Sequence, residues 1–266
     1  MSKKKRLEKA VPKAIGSKET TDKSILVPQR GKIDYPLTIR QRDDLTEKQK
    51  QLISLILDKN VKIIFVSGPA GTSKTYTSVL GGLELMAKKA VSDIVYVRSA
   101  VESASKSLGF LPGEAGDKME PYMRPLQDKL EEMLPINEVK ALIKDQRVDV
   151  VPINYLRGAS FNAKFIICDE AQNLEFKEHI TLLTRVGQFS KLIITADPDQ
   201  SDINGKSGFA KMFDIFNDEE SRKHGIHCFS FTKADIVRSG VVKYIAERLE
   251  NHKLASLKSE PMFPPK

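Results

Sequence analysis

An α/β fold, with a mostly parallel sheet and helices on both faces, is what this sequence predicts, and three observations predict it. Short apolar runs, all but the last rich in β-branched residues, recur at 61–67, 93–97, 148–151, 165–168, 192–195 and 227–231. Stretches with apolar residues at helical spacing separate most of them, and strands alternating with helices form parallel sheets covered on both sides. Three of the runs end in polar strings, at the carboxyl ends of strands, which is where open α/β sheets bind ligands.

The elements follow in order. Residues 1–42 read as a basic N-terminal arm. Residues 45–57 carry Leu45, Leu52, Ile53, Leu55 and Ile56 at helical spacing behind Thr46-Glu47, and lead into the first strand. A helix follows at 75–90 and a buried strand at 93–97. Two helical stretches at 117–134 and 137–145 are punctuated by Pro121, Pro125 and Pro135. Further helices are expected at 175–186, 207–217 and 240–251. One domain over 43–252 accounts for all of these, with an irregular tail at 253–266 and no internal repeat.

The first polar string is Gly68-Pro69-Ala70-Gly71-Thr72-Ser73-Lys74-Thr75. It has a strand before it and a helix after it, the context a phosphate-binding loop requires. Backbone N–H groups and the helix N-terminus would face the phosphates. Lys74 would reach the β- and γ-phosphates of ATP, and the Thr75 hydroxyl would hold Mg²⁺. Ser73 stands where the usual pattern has a second glycine. The reading therefore expects that position to avoid positive φ, with Gly71 supplying the flexibility.

The second string, Asp169-Glu170-Ala171-Gln172, puts an acidic pair at a strand end. Asp169 suits Mg²⁺, which takes oxygen ligands and keeps waters. Glu170 suits the orientation of an attacking water. In the third string Asp197 and Gln200 would lie beside Asp169, near the γ-phosphate, as a sensor; the plain alternative is a turn built on Asp197-Pro198-Asp199. Gln49 precedes the first strand at a distance suited to hydrogen-bonding an adenine edge, and otherwise is a surface glutamine.

Composition bounds the rest. With 40% apolar and 29% charged residues in 266, the chain is an ordinary globular protein. No apolar stretch suits a bilayer or a signal peptide, so a cytoplasmic protein without membrane contact is expected. Cys168 and Cys228 lie in apolar runs without metal-ligand spacing and read as reduced core thiols. Of the net charge of +8, nine basic against three acidic residues in 1–30 supply +6. Such an arm is either a solvated tail or a source of salt-sensitive affinity for nucleic acid.

Taken together the strings resemble the PhoH-like family of P-loop ATPases, with a RecA-like core related to superfamily-one helicases. Besides the loop and the acidic pair, the resemblance rests on Val97-Arg98-Ser99-Ala100-Val101-Glu102, Leu108–Gly113, Pro121–Leu126, Tyr155-Leu156-Arg157-Gly158 and Asp235-Ile236-Val237-Arg238-Ser239. It covers about Leu45 to Leu249. It implies ATP hydrolysis with Mg²⁺, a link to RNA or single-stranded nucleic acid, and a homo-oligomeric ring, a hexamer being favoured. Arg98 and Arg157 then become candidates for site organisation or nucleic-acid phosphate contact, or else structural ion pairs. Arg238 becomes a candidate arginine finger, expected from a neighbouring subunit because the chain holds one RecA-like lobe; the alternative is an ion pair with Asp235. Some relatives carry a nuclease module, which the chain outside the core is too short to hold. The rival readings are a regulatory or scaffold protein that binds ATP without remodelling nucleic acid, and a small-molecule kinase.

Overall fold

The computed structural model describes residues 33, 35–99, 115–156, 158, 160–203 and 205–237, with the single positions 241, 244 and 248. The strands are β1 (Ile63–Ser67), β2 (Asp93–Arg98), β3 (Val148–Pro152), β4 (Lys164–Asp169), β5 (Lys191–Ala196) and β6 (Ile226–Ser230). They form one sheet in the order β3-β2-β4-β5-β1-β6, and every pairing is parallel. The helices are α1 (Glu47–Leu57), α2 (Lys74–Ala87), α3 (Ala115–Met133), α4 (Ile136–Lys144), α5 (Phe176–Leu183), α6 (Phe209–Phe216) and α7 (Glu219–Lys223).

Strand parity divides the core in two. Ile64, Val66, Ile94, Tyr96, Phe165, Ile167 and Ile193 pack under α1–α4. Their neighbours Phe65, Val95, Val97, Ile166, Cys168, Leu192 and Ile194 pack under α5 and α6. Successive side chains of a strand point to opposite faces, so uninterrupted apolar runs require cover on both. Two glycines let α2 sit close in its layer. A Cβ on Gly81 would stand 2.7 Å from Ile56, and one on Gly82 would stand 2.6 Å from Phe165.

Helix starts obey local chemistry. Thr46 caps α1 in a capping box with Gln49, and Glu175 does the same for α5 with Glu178. At the other end of α1 the Lys191 ammonium donates to the carbonyls of Ile56 (2.6 Å) and Asp58, where α1 leaves acceptors unpaired. Burial, with Lys62 nearby, pushes Lys191 down to about 8.

Two features of the fold depart from the sequence reading. The packed core begins before residue 43: Ile33 is buried, and Tyr35, Leu37 and Ile39 pack against it. The Arg40 N–H donates to Met133 O and the Thr38 N–H to Glu138, fixing this stretch along α3 and α4. The helical stretch expected at 117–134 is α3, with Pro121 and Pro125 inside it; its later half is anchored by the buried Leu126, Leu130 and Met133. The short α7, capped by Asp218, has no apolar periodicity to announce it.

Candidate functional site

The phosphate loop grows out of β1. Gly68 is required by packing, since a Cβ there would meet that of Phe231 at 2.6 Å. The Gly68 N–H donates to Ala196 O on the neighbouring strand (3.1 Å). Gly71 takes φ 88° and Ser73 takes φ 63°, so both positions are left-handed. The expectation that Ser73 avoids positive φ is corrected. The strain of about 1–2 kcal/mol for a non-glycine there is offset locally. The Ser73 hydroxyl accepts from Arg42 Nη2 (3.2 Å), and its carbonyl accepts from the Thr77 N–H (2.9 Å) and hydroxyl (3.0 Å).

Lys74 opens α2 and folds over the loop, its ammonium donating to the carbonyls of Gly68 (2.5 Å) and Pro69 (3.0 Å). Thr72 is buried and donates to Pro69 O. These contacts shape the loop into a cradle with a positive charge at its mouth.

Parity brings the acidic side to α2. Asp169 shares the α2-facing side of the sheet with Tyr96 and Thr195, because residues 165, 167, 94 and 193 of the same strands face α2. The buried Asp169 carboxylate accepts from the hydroxyls of Thr75 (2.9 Å), Tyr96 (2.6 Å) and Thr195 (2.5 Å). Burial, then the Asp169 charge, pushes the Tyr96 phenol far up, so it stays a neutral donor.

Beside it Glu170 adopts φ 55°, a left-handed position for a residue that lines the cavity. Its carboxylate accepts from the Gln172 amide nitrogen (2.6 Å), and the Gln172 amide oxygen accepts from the Asp197 N–H (3.0 Å). The Asp197 carboxylate in turn accepts from the Ala70 N–H in the loop (2.7 Å). A continuous chain of hydrogen bonds thus links Glu170 to the loop.

One cavity of about 310 Å³ collects these groups. Ala70, Gly71, Ser73, Lys74 and Thr75 line it from the loop side. Asp169, Glu170, Asp197 and Gln200 line it from the ends of β4 and β5. The donor set fits Mg²⁺: Thr75 Oγ1 and Asp169 Oδ2 are hard oxygens 2.9 Å apart. That spacing matches an edge of an octahedron with bonds of about 2.0–2.1 Å.

A family description, PhoH-like protein, matches residues 42–250. The chain belongs to the PhoH-like family. A PhoH-like protein of Mycobacterium bovis is 36% identical over 224 residues, 84% of this chain and 59% of the relative. A PhoH-like protein of Bacillus subtilis is 32% identical over 233 residues, 87% and 66% of the two. Protein PhoH of Escherichia coli is 31% identical over 201 residues, 74% and 55%. The chain spans about three-fifths of the length of such relatives.

In this PhoH-like chain the remaining candidates lie apart. Gln49 is fully buried behind the loop; its amide nitrogen donates to Thr72 O (3.2 Å) and its amide oxygen accepts from the Thr46 N–H (3.1 Å). Arg98 closes β2 level with Asp169 and does not line the cavity. Arg157 and Arg238 lie outside the described residues. Val237, next to Arg238, does line the cavity, and its N–H donates to Gly71 O (2.9 Å).

Sequence reasoning missed Arg42, Tyr76, Lys129, Tyr96, Gln172 and Thr195. Among the described residues no group of three or more His, Cys, Asp or Glu side chains is placed to hold a metal, and no helix is long and apolar enough to cross a membrane.

Behind the acidic pair, His179 of α5 is fully buried beside the Ala171 backbone, with its ring 6.2 Å from that of Phe209. Burial pushes it down to about 4, below its ordinary 6.5, so the fold holds it neutral. The unfolded chain then binds the extra proton between those values, and stability is lost as pH falls through that window. Urea unfolding of the wild type should show about 2 kcal/mol more loss between pH 7.5 and 5 than His179→Leu shows. Equal losses in the two proteins would refute the assignment.

Proposed function

We propose that this protein binds and hydrolyses ATP with Mg²⁺, and that hydrolysis is coupled to RNA or single-stranded nucleic acid in a homo-oligomeric ring. The observation that carries the catalytic part is the meeting of Lys74, Thr75, Asp169, Glu170 and Asp197 in one cavity. Thr75 and Asp169 would hold the metal, which supplies charge stabilisation to the phosphates. Lys74 meets the β- and γ-phosphates with positive charge. Glu170, held by Gln172, orients the water and takes its proton. Asp197 and Gln200, which line the same cavity, are given the sensing of γ-phosphate loss. The hydrogen-bond chain from Ala70 through Asp197 and Gln172 supports transmission of that change to Glu170.

Arg238 is given the neutralisation of transition-state charge, at the cavity of the neighbouring subunit. The support is the single RecA-like lobe of the chain, which leaves the next protomer of a head-to-tail ring as the natural donor. The ring, with a hexamer favoured, rests on the single RecA-like lobe and on the family resemblance, since heterologous contacts close into rings. A cytoplasmic location accords with the reduced cysteines Cys168 and Cys228.

The test of the coupling is ATPase activity with and without poly-U RNA or single-stranded DNA. Stimulation supports the proposal, and an unchanged rate with both polymers overturns it. Nucleic-acid contact by Arg98 has a separate signature. Arg98→Ala should weaken binding to all sequences alike and lower the slope of log affinity against log salt by about one unit. An unaltered slope in filter binding at several salt concentrations would remove Arg98 from the interface.

A further inference from the structure

The nucleotide cavity has a second end that the hydrolytic residues leave unused. Thr75, through its bond to Asp169, marks the metal end. Tyr76 is the next residue on α2, and one helical step of about 100° turns it away from that end. Over its ring, 4.3 Å from the centroid, lies the guanidinium of Arg42.

Four contacts fix Arg42. Its N–H donates to the Tyr76 hydroxyl (3.1 Å), and its Nη2 donates to the Ser73 hydroxyl (3.2 Å). Its guanidinium pairs with Asp44 (3.5 Å) and Glu132 (3.7 Å). The two carboxylates offset part of the charge, Glu132 being shared with Lys129 (2.8 Å). What remains is a flat, weakly hydrated plane backed by an aromatic ring, and both Arg42 and Tyr76 line the cavity.

We propose that Arg42, stacked on Tyr76 and oriented by Ser73, is the platform on which the nucleobase of the bound nucleotide lies. This rests on the phosphate-loop reading above. A triphosphate held by Lys74 and Thr75 leads its sugar and base toward this end. Stacking on a guanidinium uses the π-face that every base has, so it grips the base without reading its edge. The deep glutamine does not supply that reading here: Gln49 is buried and its amide joins Thr46 to Thr72. The serine in place of the loop's second glycine thereby acquires a purpose, because a glycine offers no hydroxyl to the guanidinium.

Isothermal titration with ATP, GTP and inorganic tripolyphosphate, each with Mg²⁺, tests this. The wild type should bind ATP and GTP with similar Kd. Arg42→Ala should weaken both by about tenfold and leave tripolyphosphate unchanged, since that ligand has no base. Ser73→Gly keeps the left-handed loop position and releases Arg42, so it should shift ATP and GTP in the same direction by less. An equal loss for tripolyphosphate and ATP in Arg42→Ala would overturn the platform while leaving the phosphate loop intact. So would unchanged ATP affinity in that variant, or strong preference of the wild type for ATP over GTP. Failure of the wild type to bind any of the three ligands would instead refute the phosphate loop, and the platform with it.

Discussion

Glu170→Gln should leave ATP affinity near that of the wild type while turnover falls by about 10²–10⁴, the usual contribution of a positioned proton acceptor. The substitution preserves shape. A glutamine oxygen still accepts from the Gln172 amide, as the carboxylate does at 2.6 Å. The left-handed backbone at φ 55° is unaffected by the side-chain change. What is lost is the ability to take a proton from water, which matters only as the γ-phosphoryl bond breaks. Lys74→Ala should behave differently. Its ammonium, held by the Gly68 and Pro69 carbonyls, meets phosphate charge already in the bound ground state. Its removal should weaken ATP binding by about ten- to a hundredfold, the range for hydrogen bonds to charged groups. Nucleotide titration beside steady-state phosphate release separates the two effects. Wild-type turnover in Glu170→Gln would show that another group activates the water.

The loop and the acidic pair were legible because each is contiguous and sits at the end of one strand, so local sequence carries its chemistry. Tyr96 and Thr195 were not, although a signal existed. Once β2, β4 and β5 are set side by side, period-two parity puts both on the face that Asp169 uses. A tyrosine within Ile94–Val97 reads as core, and only its hydroxyl reveals the second role. Arg42 was hidden for another reason: its contacts with Ser73 and Tyr76 span more than thirty residues of sequence and exist only after folding. The alternation of Ile33, Tyr35, Leu37 and Ile39 was visible, but the basic run before it masked a segment that packs. Ser73 shows a limit of motif logic. A local rule against positive φ yielded to hydrogen bonds from Arg42 and Thr77 that the pattern does not contain.

Arg238→Ala should slow ATP hydrolysis by about 10³–10⁵, the range for an arginine that neutralises charge on the transferring phosphoryl group. Which subunit such an arginine serves is decided by mixing it with a second inactive variant. From sequence alone, one lobe per chain points to a finger lent by a neighbour. If Arg238 and Glu170 serve the same cavity, a mixture of Arg238→Ala and Glu170→Gln contains no complete site. Each Arg238→Ala subunit lacks the arginine, and each Glu170→Gln subunit lacks the base. ATPase activity of such a mixture would then remain at the level of the parents, with subunit exchange followed independently by labelled protein. With the arginine crossing the interface, as one lobe per chain implies, an intact Glu170 in one subunit meets an intact Arg238 from its neighbour, and part of the activity should return. A mixture as inactive as either parent, with exchange shown, would overturn the finger lent between subunits.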